Sequence, residues 1–146
     1  MNIFLPIFFA AIAAVGNALF ALGQKQSSGV DNGLLFVGGS ALIALVLSVL
    51  TSPLVGSVDF IILLKYNWKS LLMSGAGLFL TYVGFNLLYS KFGASQYVLY
   101  ASISIITTSV IVGFFYLKEP MNVYHIGSIM MAIAAVVLFS VGQSKV

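Results

Sequence analysis

Residues 3–22 read IFLPIFFAAIAAVGNALFAL, twenty positions with one polar side chain, Asn17, and no charge. A helix of about 20 apolar residues matches the hydrocarbon core of a bilayer, about 30 Å thick. Four further charge-free runs of similar length follow, at about residues 34–55, 71–89, 96–117 and 123–141. Only nine of the 146 residues carry a formal charge, six lysines and three acids, or 6% of the chain, while 61% are hydrophobic. A water-soluble domain has roughly a quarter of its residues charged. The expectation is an all-α polytopic membrane protein, a single domain over residues 1–146 with five transmembrane helices.

The composition excludes several function classes. The net charge of +3 comes from a shortage of acids rather than from a basic cluster, and there is no arginine, so nucleic acid is not an expected partner. Without cysteine there is no disulfide, thiol nucleophile or thiolate metal site, and one histidine, His125, cannot build a histidine-rich one. No nucleophile–base constellation can be assembled, so an enzyme is not expected; neither a metal nor a cofactor is called for. Ala11-Ile12-Ala13 resembles a signal-peptide cleavage site, but no lysine or arginine precedes it and the apolar run continues beyond it. A retained first span is expected.

Residues 60–69 have two readings. Phe60-Ile61-Ile62-Leu63-Leu64 is too short to cross, and Lys65-Tyr66-Asn67-Trp68-Lys69 has the residue types of the headgroup layer. The stretch is expected to be an interfacial connector; the alternative is a second span lengthened by tilt.

Five spans put the two termini on opposite sides of the membrane. One side then receives Lys65, Lys69 and Lys118, and the other Lys25, Lys91 and Lys145. Lysine in short loops sets orientation, and three against three expresses no preference. Either the N-terminal amine, a partner or the early loops decide, or the chain inserts both ways and pairs with an inverted copy of itself.

Polar side chains inside spans collect on faces, since a polar group facing lipid has no partner. Ala10, Ala13, Ala14, Asn17, Ala21 and Gln24 share one face of the first span at spacings of three and four. Tyr82, Asn86 and Tyr89 do so in the third, with Gly75 and Phe79 above them. Tyr97, Tyr100, Ser104, Thr107 and Thr108 form the densest stripe, in the fourth. Together these surfaces would line a cavity with aromatic walls and amide and hydroxyl groups; singly, each residue also fits helix packing or interfacial anchoring. Small residues at Ser128, Ala132 and Ala135, and at Gly38, Gly39, Ser40 and Ala44, suit close helix contacts. Asp31, Asp59 and Glu119 all fall at boundaries or in loops, and His125 lies in the first turn of the fifth helix as an anchor or cap. An intramembrane carboxylate is the usual device for exchanging protons against a cation, so neutral or anionic solutes, or uncoupled movement, are favoured.

The order of motifs resembles the drug/metabolite transporter superfamily, and specifically a single EamA-type half. The stretch that carries this is Tyr97-Val98-Leu99-Tyr100, then Gly113-Phe114-Phe115-Tyr116-Leu117-Lys118-Glu119-Pro120, then Ile126-Gly127 and a small-residue helix ending Leu138-Phe139-Ser140-Val141-Gly142. Lys25-Gln26-Ser27-Ser28-Gly29 is similar to the exit of helix one in the small multidrug resistance branch. The likeness covers the first span and about residues 71–142. It implies one half of an inverted-repeat, ten-helix secondary transporter, assembled as an antiparallel homodimer or as a heterodimer with an inverted paralogue. The expected protein is multi-pass in the cell (inner) membrane, with membrane lipid and a small-molecule substrate as its partners. That branch has an essential glutamate eight residues before the lysine, where this chain has Asn17, so the position is matched and the proton chemistry is not. Tyr97 and Tyr100 fall where the branch has aromatic residues contacting substrate.

The expected function is therefore a secondary transporter of a small neutral or anionic organic solute, amphipathic ones included, working by alternating access as an antiparallel dimer. Asn17, Tyr82, Asn86, Tyr97, Tyr100 and Ser104 are the expected substrate-binding residues. The alternatives are a subunit of a lipid-linked sugar flippase and a non-transporting membrane subunit that uses its polar stripes only for packing.

Overall fold

The computed structural model describes residues 4–143; Ile3 of the first run and Lys145 of the lysine tally lie outside them. The described chain is helical. α1 (Phe4–Gln26) ends in a 3-10 turn (Ser27–Gly29), and α2 (Gly33–Thr51) ends in another (Ser52–Leu54). α3 covers Phe60–Phe92, α4 covers Tyr97–Ser104 and runs into a π-helix over Ile105–Tyr116, and α5 covers Val123–Gln143. Five stretches are long and apolar enough to cross a membrane, as expected.

The elements start where side chains can take up the free amides of a first turn. Asn32 Oδ1 accepts from Leu34 N at 3.1 Å and Leu35 N at 3.2 Å to open α2, and Asp59 Oδ1 accepts from Ile62 N at 3.0 Å to open α3. At α5 the cap is reciprocal: Asn122 Oδ1 accepts from Tyr124 N and His125 N, while Asn122 N donates to His125 Nδ1 at 3.3 Å. α3 stops at Gly93, whose φ of 96° suits a residue without a side chain.

Residues 60–69 belong to α3. Nothing between Asp59 and Gly93 breaks the helix, so the 33 residues form one rod, about 50 Å long at 1.5 Å per residue. That exceeds the bilayer core by about 20 Å. The surplus first turns carry Lys65 over the Tyr66 ring and Lys69 over the Trp68 ring, at 5.5 and 5.6 Å from the ring centroids.

The chain forms two compact units, one holding α1, α2 and α3 and the other holding α4, the π-helix and α5. In the first, α3 packs against both α1 and α2; in the second, α4 and the π-helix pack against α5. Only 6–11% of each crossing window is buried within the chain. An aqueous core would need far more than that, so the apolar side chains face outward, where lipid or another helix takes the place of water.

Several serine and threonine hydroxyls in the spans are used within their own helices. Ser48 donates to Ala44 O at 2.8 Å, Thr81 to Gly77 O at 2.9 Å and Thr107 to Ile103 O at 3.0 Å. Such bonds satisfy a hydroxyl without any neighbour. The π-helix changes the expected fourth stripe further, because its wider turn does not keep positions three and four apart on one face. Ser104 is half-buried, while Thr107 and Thr108 are exposed.

Candidate functional site

In the first unit the polar faces of α1 and α3 meet. Asn17, Phe20, Ala21 and Gln24 follow helical spacing on α1, and Tyr82, Phe85, Asn86 and Tyr89 follow it on α3. The Phe20 ring lies 5.1 Å from that of Tyr82 and packs edge-on against Phe85 at 5.5 Å. Phe85 in turn stacks on Tyr89 at 5.1 Å. Asn17 is half-buried one turn before Phe20.

Beyond the rings sits an amide pair. Asn86 Nδ2 donates to Gln24 Oε1 at 2.7 Å, and only 9% of Asn86 and 1% of Gln24 are exposed. Both helix backbones are tied into the same place: Ser27 Oγ donates to Gln24 O at 2.8 Å and Ser90 Oγ donates to Asn86 O at 2.5 Å. Gly33, the first residue of α2, lies against the Asn86 amide oxygen so closely that a Cβ there would overlap it. The absence of a side chain at Gly33 lets three helices converge on the pair. Gln24 Nε2 is buried and has no hydrogen-bond partner. A buried amide donor left unpaired costs about 1–3 kcal/mol.

The six expected site residues divide equally between the units. Asn17, Tyr82 and Asn86 lie along the α1–α3 seam; Tyr97, Tyr100 and Ser104 lie on α4, with the Tyr97 and Tyr100 rings 5.6 Å apart. All three residues of the second group are half-buried. Gln24 is the seam residue that the sequence reading underweighted: it stood on the right face, seven residues after Asn17, but beside Lys25 it read as a span exit. Phe20 and Phe85 were indistinguishable from lipid-facing phenylalanines.

Two cavities accompany these features. One, of about 510 Å³, is an apolar groove between α2 and α3 that reaches from Ser48 past Ala44, Gly75 and Gly38 to Tyr82. The other, of about 200 Å³, lies in the second unit among Ser109, Phe114, Glu119, His125 and Ser128. It is built by the end of the π-helix. Leu117 N donates to Val112 O at 2.8 Å, Lys118 takes a left-handed φ of 55°, and Glu119 N returns to Gly113 O at 3.0 Å. The turn folds the Glu119 carboxylate over the buried Gly113, where a Cβ would lie 3.1 Å from Oε2. Among the described residues no three His, Cys, Asp or Glu side chains stand together as a metal site.

Compared with family models, with curated proteins and with solved structures, the chain matches none.

Proposed function

We propose that the chain is a multi-pass membrane transporter of the drug/metabolite type, moving a small neutral or anionic organic solute by alternating access as an antiparallel pair. The observation that carries this reading is the Gln24–Asn86 pair, whose remaining amide donor is buried in an apolar chain without an acceptor. A carbonyl, hydroxyl or anionic oxygen on a solute would satisfy it, and parting of α1 from α3 would open the way. Asn17, Tyr82 and Asn86 are the proposed solute-contacting residues of the first unit, and Tyr97, Tyr100 and Ser104 those of the second, each unit taken by itself. The balance of lysines, three per side, supports inverted pairing, in which exchange of the two protomers' conformations turns an inward-open state into an outward-open one.

The groove between α2 and α3 favours a second reading, a subunit of a lipid-linked sugar flippase. Its Gly and Ala walls leave room for a hydrocarbon chain beside Tyr82 while the polar group engages the seam. Transport of a lipid-linked sugar in reconstituted vesicles, with none of soluble solutes, would select this reading over the first.

The test is a thermal-shift screen of neutral and anionic metabolites on the purified protein. A stabilising hit is expected to be lost in both Asn17→Ala and Tyr100→Ala. Unchanged binding in the two variants would remove the assignment.

A further inference from the structure

Glu119 differs from Asp59, whose carboxylate caps α3. Among the described residues no side chain pairs with the Glu119 carboxylate and none donates a hydrogen bond to it. An unpaired carboxylate next to a bilayer would ordinarily extend toward water. Here it is folded back over Gly113, and it forms one wall of the 200 Å³ cavity. The same cavity is faced by Phe114, by Ser109 and by two polar groups whose hydrogen-bonding capacity is already partly committed, His125 and Ser128. His125 Nδ1 accepts from Asn122 N, which leaves Nε2–H as the ring's remaining donor. Ser128 Oγ donates its proton to His125 O at 2.8 Å, so toward the cavity it can only accept.

The wall therefore offers one negative charge, several acceptor lone pairs, an aromatic ring, one imidazole donor and the Ser109 hydroxyl, which can give or take a hydrogen bond. A primary ammonium meets this set: its three N–H groups suit the carboxylate and hydroxyl oxygens, and its charge suits the carboxylate and the ring. An oxygen close to that ammonium would take the imidazole donor. An anion would face the carboxylate, and a quaternary ammonium has no N–H to give.

We propose that this cavity binds a primary ammonium group flanked by an oxygen, an ethanolamine-type group, carried by a free amine or by a lipid headgroup. The site lies wholly within the second unit and does not rest on the transport reading. His125 is the only histidine, so its ring signals in an NMR spectrum are unambiguous. The full chain in phosphatidylcholine nanodiscs is titrated with ethanolamine at constant pH and ionic strength, with choline as the N–H-free control. A saturable movement of the His125 signals with ethanolamine and not with choline is expected. In Glu119→Gln it should disappear, and in Phe114→Leu, which keeps the charge, the affinity should fall roughly two- to five-fold. Nanodiscs containing phosphatidylethanolamine distinguish the sources: signals already at the bound position, unmoved by ethanolamine, identify the headgroup, and a continued response identifies the free amine. Equal responses to ethanolamine and choline, a Glu119→Gln protein that responds like the parent, or no saturable response in either lipid would overturn the proposal.

Discussion

The α1–α3 seam and the end of the π-helix treat polar groups in opposite ways. At the seam, two neutral amides are buried against each other, fixed by Ser27 and Ser90, with Gly33 making room for a third helix. At the π-helix end a carboxylate is left unpaired at a cavity, on a turn held by the Leu117 N–Val112 O and Glu119 N–Gly113 O bonds. Burying a charge in a low-dielectric medium costs far more than burying an amide. The neutral pair can therefore sit inside the packed unit, whereas the carboxylate belongs where water or a cation can reach it. Rigidity should then be concentrated at the seam, and response to ligands and salt at the π-helix end.

The largest loss should come from Asn86→Leu, which leaves Gln24 Oε1 buried without its donor, beside an Nε2 that already has no partner. We expect a loss of about 1–3 kcal/mol in equilibrium unfolding in mixed micelles. In a double-mutant cycle with Gln24→Leu, the amide coupling should be worth about 0.6–2 kcal/mol. Removing both partners should cost less than the two single changes together.

Next in size is Asn122→Ala. It removes the acceptor for Tyr124 N and His125 N and should cost about 0.5–2 kcal/mol. The loss should appear as faster hydrogen exchange in the first turn of α5, with the seam unaffected. Thr107→Val should have the smallest effect, under about 0.5 kcal/mol, because its hydroxyl bonds only to its own helix. A large loss there would mean that the fourth-span stripe makes contacts between helices after all.

Much of the architecture was legible because a bilayer imposes a crude rule on sequence. Charge-free runs of about 20 residues have few alternatives to a crossing helix; five such helices are present, four near the expected bounds and the third starting at Phe60 rather than near residue 71. Residues 60–69 were harder to read, because Lys65, Tyr66, Trp68 and Lys69 report preference for an interface and say nothing about whether the helix continues through it. The π-helix had no signature: Ile105 to Tyr116 is β-branched and aromatic like many ordinary spans. In the candidate site, Tyr82 and Asn86 were found because helical spacing put them on one face. The importance of Gln24 and Gly33 was hidden because it depends on a three-way contact between α1, α2 and α3. Glu119 was read as a loop acid, and only the left-handed turn at Lys118 folds it inward.

The proposed pairing of the chain with an inverted copy of itself requires that both orientations occur in one membrane. Because the sequence has no cysteine, one introduced at Ser57, in the exposed connection between α2 and α3, reports orientation without background. Cells expressing Ser57→Cys are treated with a membrane-impermeant maleimide before and after permeabilisation. Labelling of the intact cells to roughly half the permeabilised level, rising or falling when one lysine is moved across the membrane, is the predicted result. Complete labelling or complete protection in intact cells would contradict it.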